Sequence, residues 1–229
     1  MKKNNVFFSG VLGALSLIML FSSLSSGQGP LPNGASAQPV AMSEAVDPLA
    51  DVFIGSENAP VTVIEYASFT CVHCGNFANE VFPQIKAEFV DTGKVKFALR
   101  EAYTDKFGLW AGLLAYEASD GRKNADAYYD FVDALYETQH DWAFGSTNET
   151  EMADKLRQVA AEHGVSAEDA EAVLNDESVV KSIAETFMFH AQRDNIQATP
   201  TFIINGQPYP NMPLDDFRNL LNDAVKTKG

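Results

Sequence analysis

The stretch Phe69-Thr70-Cys71-Val72-His73-Cys74 contains both cysteines of this 229-residue chain. It follows a β-branched and aromatic run from Val61 to Tyr66, which is too short for a globular helix and predicts a buried strand. Apolar residues then recur at helical spacing from Cys74 to Phe89. This pattern predicts a helix that begins at or next to Cys71 and is kinked at Pro83. The two cysteines are therefore expected at the junction of a buried strand and a helix N-terminus.

This position makes the two thiols chemically unequal. A thiol at a helix N-terminus faces unpaired backbone N–H groups and the positive end of the helix dipole, and both favour the thiolate. Cys71 is therefore the candidate nucleophile, and Cys74, one turn further along, can attack a mixed disulfide and release the partner. A protonated His73 would add to the stabilisation of the Cys71 thiolate. Because a stabilised thiolate favours the reduced pair, the disulfide is expected to oxidise other proteins.

Three other interpretations of the cysteine pair are open on the residues alone. A zinc site needs about four ligands, and the remaining histidines lack paired spacing, so we expect neither a metal nor another cofactor. A purely structural disulfide is disfavoured because cysteines three residues apart close almost no loop. Inert buried thiols are disfavoured in an oxidising compartment. The histidines available for a zinc site would be His140, His163 and His190.

The rest of the chain predicts one more strand, a long helical block and a terminal hairpin with a helix. Residues 94–100 alternate well enough for a second strand, and successive apolar stripes from about residue 108 to residue 194 predict helices. Strand signals return at Thr201–Ile204, before a turn at Asn205-Gly206 and a hairpin partner. A last helix is expected from about Leu214 to Val225.

Two motifs together resemble the DsbA family of exported thiol:disulfide oxidoreductases, which belongs to the thioredoxin superfamily. They are the cysteine motif, Phe69 to Cys74, and the segment Ala198-Thr199-Pro200-Thr201-Phe202 before the hairpin. The resemblance spans about Asp51 to the C-terminus. It implies an α/β thioredoxin fold with a large helical domain inserted between the second strand and the cis-proline strand. The implied boundaries are 57–104 and 196–229 for the two parts of the thioredoxin domain and 105–195 for the insertion.

The resemblance also implies a surface for substrate binding. Thr199 and Pro200 match the cis-proline loop that faces the active-site helix in this family. A cis bond there would bare the backbone of Thr199, so that a substrate chain could pair with it as an added strand beside Cys71. On the residues alone, a trans proline that simply begins the strand is the alternative. Val72, which stands where the best-known members have proline, is expected to contribute to the same surface.

Glu65 is a candidate for proton transfer. It interrupts the apolar first strand six residues before Cys71, where the family carries a buried acid near its cysteines. Burial would raise its pKa and let it exchange the proton of Cys74 during resolution. An ordinary solvent-facing acid at a strand end is the alternative. Arg100 and Glu101, which close the second strand, are expected to form a surface ion pair and to have no catalytic role.

Residues 1–37 have the layout of a secretory signal. Two lysines precede an apolar stretch at 6–24, and Ala35-Ser36-Ala37 forms an A-x-A cleavage pattern. An uncleaved membrane anchor is the alternative, because a stretch of 19 residues approaches the ~20 needed to cross a bilayer. Residues 38–56 are expected to form an extended lead-in, too short for a dimerisation domain. We therefore expect a monomer exported to the periplasm.

The composition is globular but strongly acidic, with 31 Asp+Glu against 16 Lys+Arg and a net charge of −15. Because binding to phosphate backbones needs clustered cations, no nucleic-acid partner is expected. The sequence thus predicts an enzyme that donates its Cys71/Cys74 disulfide to reduced exported proteins. The resemblance implies reoxidation by a membrane quinone-linked partner of the DsbB type. The competing hypotheses are a peptide-binding or chaperone-like protein with an inert disulfide, and a disulfide reductase or isomerase.

Overall fold

A computed structural model describes residues 49–228 of the chain. The predicted signal peptide, its alternative as an uncleaved anchor, and most of the predicted lead-in lie outside the described residues. Within residues 49–228, none of the helices combines the length and the hydrophobicity needed to span a bilayer.

A mixed sheet forms the centre of the fold. Its strands are β1 (Phe53–Ile54), β2 (Val61–Ala67), β3 (Val95–Glu101), β4 (Thr201–Ile204) and β5 (Gln207–Pro210). The order across the sheet is β1-β3-β2-β4-β5, with β2 and β3 parallel and the other pairs antiparallel. The predicted strand before the cysteines is therefore the central strand β2, and most of its residues are buried. This central position places the residues that follow β2 in the middle of the sheet, at the C-terminal end of that strand.

Both outer strands are short. β5 contains Pro208, which donates no backbone hydrogen bond and is tolerated because β5 lies at the sheet edge. The predicted hairpin turn is confirmed, since Asn205 and Gly206 have φ values of 47° and 85°, as a tight two-residue turn requires. At the other edge, β1 is a two-residue strand within the stretch expected to be merely extended. Two residues are too few to produce an alternation that a sequence could show.

The helical segment after Cys71 is continuous but changes its hydrogen-bonding pattern three times. It consists of α1 (Val72–Asn76), a π-helical turn (Phe77–Val81), α2 (Phe82–Ile85) and a second π-helical turn (Lys86–Val90). The first π-helical turn ends just before α2, and the kink expected at Pro83 stays a prediction. Pro83 lies in the first turn of α2, where a proline is best tolerated because the wider π-turn precedes it.

The predicted helical block lies between β3 and β4. It contains α3 (Lys106–Ala118), α4 (Ala125–Glu137), a π-helical turn (His140–Phe144), α5 (Glu149–Glu162), α6 (Ala167–Leu174) and α7 (Glu177–Arg193). Side chains cap the N-termini of several of these helices. The Asp105 carboxylate, for example, accepts the N–H groups of Phe107 and Gly108, both at 2.9 Å. The final helix, α8 (Leu214–Lys228), follows the hairpin.

An aromatic cluster holds the cysteine-bearing helical segment against the sheet. The ring centroid of Phe77 lies 4.6 Å from that of Phe202 on β4 and 5.7 Å from that of Phe217 on α8. All three rings are buried. Tilted and edge-on arrangements at these distances are favourable for aromatic pairs. The helix that begins at the cysteines is thereby fixed on one face of the sheet.

The prediction of a surface ion pair between Arg100 and Glu101 is wrong. Arg100 donates two hydrogen bonds of 2.7 Å to the Asp51 carboxylate and one of 2.9 Å to Asp194. Glu101 is buried and pairs with Arg122, whose Nη2 lies 2.5 Å from Oε2. The physical reason is that successive residues of a strand point to opposite faces of the sheet, so neighbours along β3 meet different partners.

Candidate active site

The two cysteines lie at the N-terminus of α1, as the sequence predicted. Cys71 is the N-cap residue, with an extended backbone (φ −87°, ψ 116°) and a half-buried side chain, whereas Cys74 is fully buried. The Cys71 carbonyl oxygen accepts the N–H groups of Cys74 and Gly75, both at 3.1 Å, which closes the first helical turn. Both cysteines are free thiols in this structure.

The two thiols differ strongly in pKa. A hydrogen bond from the Cys74 side chain, with smaller contributions from the Thr199 side chain and from the N–H groups of Cys74 and His73, lowers the pKa of Cys71 to about 5 despite partial burial. The same interaction with Cys71, together with burial and the charge of Glu65, raises the pKa of Cys74 far above its usual value. At neutral pH the reduced pair therefore consists of a Cys71 thiolate beside a neutral Cys74 thiol.

Glu65 lies inside the sheet, on β2, and only 3% of its surface is exposed. The strand register sets it opposite Leu99 of β3 and Phe202 of β4. Burial, and secondly the charge on Cys71, raise the pKa of Glu65 well above its usual value. The alternative of a solvent-facing acid at a strand end is therefore wrong. The role of Glu65 in proton transfer stays a prediction.

The segment that contains Thr199 and Pro200 faces the cysteines. The Thr199–Pro200 peptide bond is cis, as the resemblance implied, and it directly precedes β4. The Thr199 carbonyl oxygen lies 3.5 Å from Cys71 Sγ and accepts a hydrogen bond from the thiol in its protonated form. The structure thus brings the two sequence motifs together at one place.

Val72 and His73 are the exposed residues of the first helical turn. The Val72 side chain is 39% exposed, which leaves an apolar surface directly beside Cys71. The group of His73 that lowers the pKa of Cys71 is the backbone N–H. The expected contribution of the protonated imidazole stays a prediction.

Two side chains that the sequence reasoning missed connect the loop before α1 to the helical insertion. Thr70 Oγ1 donates to the carboxylate of Asp105 at 2.5 Å. Gln139 Nε2 donates to the carbonyl oxygens of Phe69, at 2.8 Å, and of Cys71, at 3.0 Å. The partners are 35 to 70 residues apart in the chain, so no local pattern could have indicated these contacts.

Tyr136 of α4 is a third residue that the sequence reasoning missed. Its ring packs against Phe69, with 5.4 Å between the centroids, and its buried hydroxyl group has no hydrogen-bond partner among the described residues. Burial, followed by the charges of Cys74 and Glu65, raises the pKa of this phenol. In the sequence, a tyrosine at helical spacing indicates only a core position.

The histidines available for a zinc site have other contacts. His163 Nδ1 lies 3.4 Å from the Asp130 carboxylate, and the ring of His140 lies against Phe144 with 5.6 Å between centroids. In the part of the chain that the structure describes, no group of three or more His, Cys, Asp and Glu side chains is arranged to hold a metal ion.

Comparison with known proteins assigns the chain to a family. A family model described as Thioredoxin matches residues 48–223. The chain belongs to this thioredoxin family. A putative protein-disulfide oxidoreductase of Rickettsia felis is 27% identical over 176 residues, which cover 77% of this chain and 60% of the relative. Disulfide bond formation protein D of Bacillus subtilis is 27% identical over 176 residues, covering 76% of this chain and 77% of that protein.

Solved structures of DsbA-like proteins share the same architecture. Alpha-DsbA1 of Wolbachia pipientis superimposes with a TM-score of 0.68 at 26% identity, over 78% of this chain and 92% of that chain. Oxidised BdbD of Bacillus subtilis gives a TM-score of 0.66 at 27% identity, over 77% and 93%. These likenesses confirm the DsbA-like thioredoxin fold with a helical insertion. The chain spans about 60% of the length of the Rickettsia relatives that it matches.

Proposed function

We propose that this thioredoxin-family protein is a thiol:disulfide oxidoreductase that donates its Cys71–Cys74 disulfide to reduced proteins during oxidative folding. The observation that carries the proposal is the unequal pair, in which the pKa of half-buried Cys71 is about 5 and that of buried Cys74 is strongly raised. Because a stabilised thiolate favours the dithiol form, the disulfide is a strong electron acceptor. The names of the relatives, protein-disulfide oxidoreductase and disulfide bond formation protein, support the same chemistry.

Disulfide donation takes place in two thiol–disulfide exchange steps. A client thiolate attacks the Cys71 sulfur, the Cys71–Cys74 bond breaks, and its electron pair leaves on the Cys74 sulfur, which takes up a proton. A second client thiolate then attacks the client sulfur of the mixed disulfide and releases the Cys71 thiolate. The client loses two electrons and gains a disulfide, and the protein keeps a Cys71 thiolate and a Cys74 thiol.

Glu65 is the group that we assign to the proton of Cys74. A thiolate left at this buried position would be costly, so the departing sulfur must be protonated, and the proton must leave again when the disulfide re-forms. Burial raises the pKa of Glu65, which lets the carboxyl group hold a proton, and its charge acts on Cys74. His73 is assigned the smaller role of stabilising the Cys71 thiolate.

The client chain is proposed to bind in an extended form along Thr199 and Pro200. The Thr199 carbonyl lies 3.5 Å from the Cys71 sulfur, so a client strand paired with this backbone would present its own sulfur at the reactive atom. Val72 adds exposed apolar surface next to that atom. Hydrogen bonds to the main chain bind clients of different sequence, which suits an enzyme that acts on many proteins.

The compartment and the reoxidising partner are also part of the proposal. The signal-like layout of residues 1–37 supports export, with the periplasm as the destination. The DsbA-like fold supports reoxidation by a membrane quinone-linked partner of the DsbB type, in which the Cys71 thiolate attacks the partner's disulfide and Cys74 resolves the intermediate. The protein is proposed to act as a monomer on reduced exported proteins.

Refolding of a reduced client that needs its disulfides for activity tests the proposal. The oxidised protein should accelerate the recovery of client activity and become reduced in equal amount, and Cys71→Ser should abolish both effects. A titration of the pair against glutathione should give a potential more oxidising than about −200 mV. A strongly reducing potential would contradict donation and favour an inert disulfide or a reductase, as would client refolding that is no faster with the oxidised protein.

A further inference from the structure

Gln139 lies where the helical insertion contacts the loop Phe69–Cys71 before α1, which we call the cysteine loop. It is 2% exposed and directly precedes the π-helical turn His140–Phe144. Its Nε2 atom donates to the carbonyl oxygens of Phe69, at 2.8 Å, and of Cys71, at 3.0 Å. Both N–H groups of the amide are therefore engaged by the main chain on either side of Thr70.

The Cys71 carbonyl oxygen receives three donors. Besides Gln139 Nε2, it accepts the N–H groups of Cys74 and Gly75, both at 3.1 Å. These main-chain N–H groups form the first turn of α1, and N–H groups of the same turn help to lower the pKa of Cys71. Gln139 thus binds the same carbonyl oxygen that accepts the N–H groups of the first turn of α1.

Gly75 provides the space that the Gln139 amide occupies. A Cβ atom at position 75 would lie 2.2 Å from Gln139 Oε1, far inside contact distance. Gly75 is helical and is not among the glycines with positive φ, so its backbone conformation does not require glycine. Glycine at position 75 therefore leaves the room that the Gln139 amide occupies.

We propose that Gln139 is a positioning residue that couples the helical insertion to the reactivity of Cys71. By holding the carbonyl groups of Phe69 and Cys71, it keeps the N–H groups of the first turn of α1 directed at the sulfur. Without the amide, two carbonyl groups lose a donor, and the loop can rotate those N–H groups away from the thiolate. This inference rests on the proposed function in taking Cys71 as the reactive thiol.

The test is a pH titration of the Cys71 thiolate, followed by its ultraviolet absorbance in the reduced full-length protein. Gln139→Met keeps most of the side-chain volume but removes both donors, and should raise the titration midpoint by about one pH unit. The thiolate fraction at pH 5 would then fall about fivefold. Asn79→Ala is the matched control. Asn79 Nδ2 also links the cysteine-bearing helical segment to the helical insertion, by donating to the Tyr136 carbonyl of α4 at 3.0 Å, but this hydrogen bond does not involve the cysteine loop. Its midpoint should stay at the wild-type value.

Gly75→Ala supplies an independent arm, because the added methyl group displaces the amide without altering it. This variant should raise the midpoint as Gln139→Met does, whereas Gly75→Ala should have no further effect in a Gln139→Ala background. Circular dichroism verifies that each variant is folded. An unshifted midpoint in folded Gln139→Met, or an equal shift in Asn79→Ala, overturns the inference. Failure of the client refolding assay would overturn the proposed function alone, because the titration needs no client.

Discussion

The Cys71 sulfur lies 3.5 Å from the Thr199 carbonyl oxygen, although 128 residues separate the two in the chain. The helix N-terminus that stabilises the thiolate and the backbone proposed to hold the client therefore meet at one atom. The reactive thiol is half-buried, so part of its surface stays accessible to solvent. The pH dependence of the reduced protein should follow from this environment.

We expect the reduced protein to lose stability relative to the oxidised form as the pH falls through about 5, the pKa of Cys71. The folded-state pKa is depressed, so the stabilisation is complete above the unfolded-state value of ~8.5 and is lost as the folded thiolate becomes protonated. After allowance for solvent screening at this half-exposed group, the effect at pH 7 is on the order of 1–2 kcal/mol. Thermal unfolding of both redox forms from pH 4 to pH 8 measures it. A pH-independent difference between the forms would contradict the prediction.

Glu65→Gln should slow proton transfer and stabilise the fold at neutral pH. Release of glutathione from a Cys71–glutathione mixed disulfide, which requires Cys74 to lose its proton, should become at least about tenfold slower. Because burial raises the pKa of Glu65, the folded state binds the proton more tightly than the unfolded state, and the carboxylate opposes folding above the unfolded-state pKa of ~4.3. The variant should therefore gain roughly 1–3 kcal/mol at pH 7.

The stabilisation by Glu65→Gln should vanish below pH 4, where the carboxyl group is protonated in both states. Glu57→Gln, at an exposed acid before β2, is the matched control and should change neither the release rate nor the stability. Denaturant unfolding at pH 7 and pH 4, with quenched measurements of glutathione release, provides both readouts. A Glu65→Gln variant with the wild-type release rate would remove Glu65 from the proton pathway.

Elements whose signals are local were predicted to within a few residues. The β-branched run before the cysteines is strand β2, and the Asn205-Gly206 turn joins β4 to β5. A capping contact of the same local kind begins α6, where the Ser166 hydroxyl accepts the Asp169 N–H with an N–O distance of 3.1 Å. In each case the stabilising contact lies within a few residues, so the pattern alone contains the information.

Contacts that depend on tertiary packing could not be predicted. The carboxylate partners of Arg100 are 49 and 94 residues away, and Gln139 reaches back 70 residues to Phe69. Nothing near these residues in the sequence distinguishes them from ordinary surface or helix residues. The isomer of the Thr199–Pro200 bond was likewise undecided on the residues alone, and the resemblance to DsbA proteins supplied the expectation that the structure bears out.

Asp194→Asn should make the fold less stable at neutral pH. Hydrogen bonds from Arg193 and Tyr66, with the charge of Arg100, lower the pKa of Asp194 to about 2. A depressed carboxylate stabilises the fold fully above its unfolded-state pKa of ~3.9 and loses this effect as the pH falls through 2. We expect a loss of about 1–2 kcal/mol at pH 7 that shrinks below pH 4. Asp215→Asn is the control, since Asp215 is largely exposed in its pair with Arg218, and its unfolding midpoint should not change.

Two buried tyrosines on α4 should respond in opposite directions to loss of the hydroxyl group. The Tyr136 hydroxyl has no partner among the described residues, so Tyr136→Phe removes an uncompensated polar group and should stabilise the fold by about 1 kcal/mol. The Tyr128 hydroxyl donates to Glu101 at 2.7 Å, and Tyr128→Phe would leave that buried carboxylate short of a donor, at a cost of about 1–3 kcal/mol. Both variants keep the aromatic ring, so packing is matched. Denaturant unfolding of the two proteins decides the point: a destabilised Tyr136→Phe variant would mean that the hydroxyl group is hydrogen-bonded in solution, for instance by a buried water.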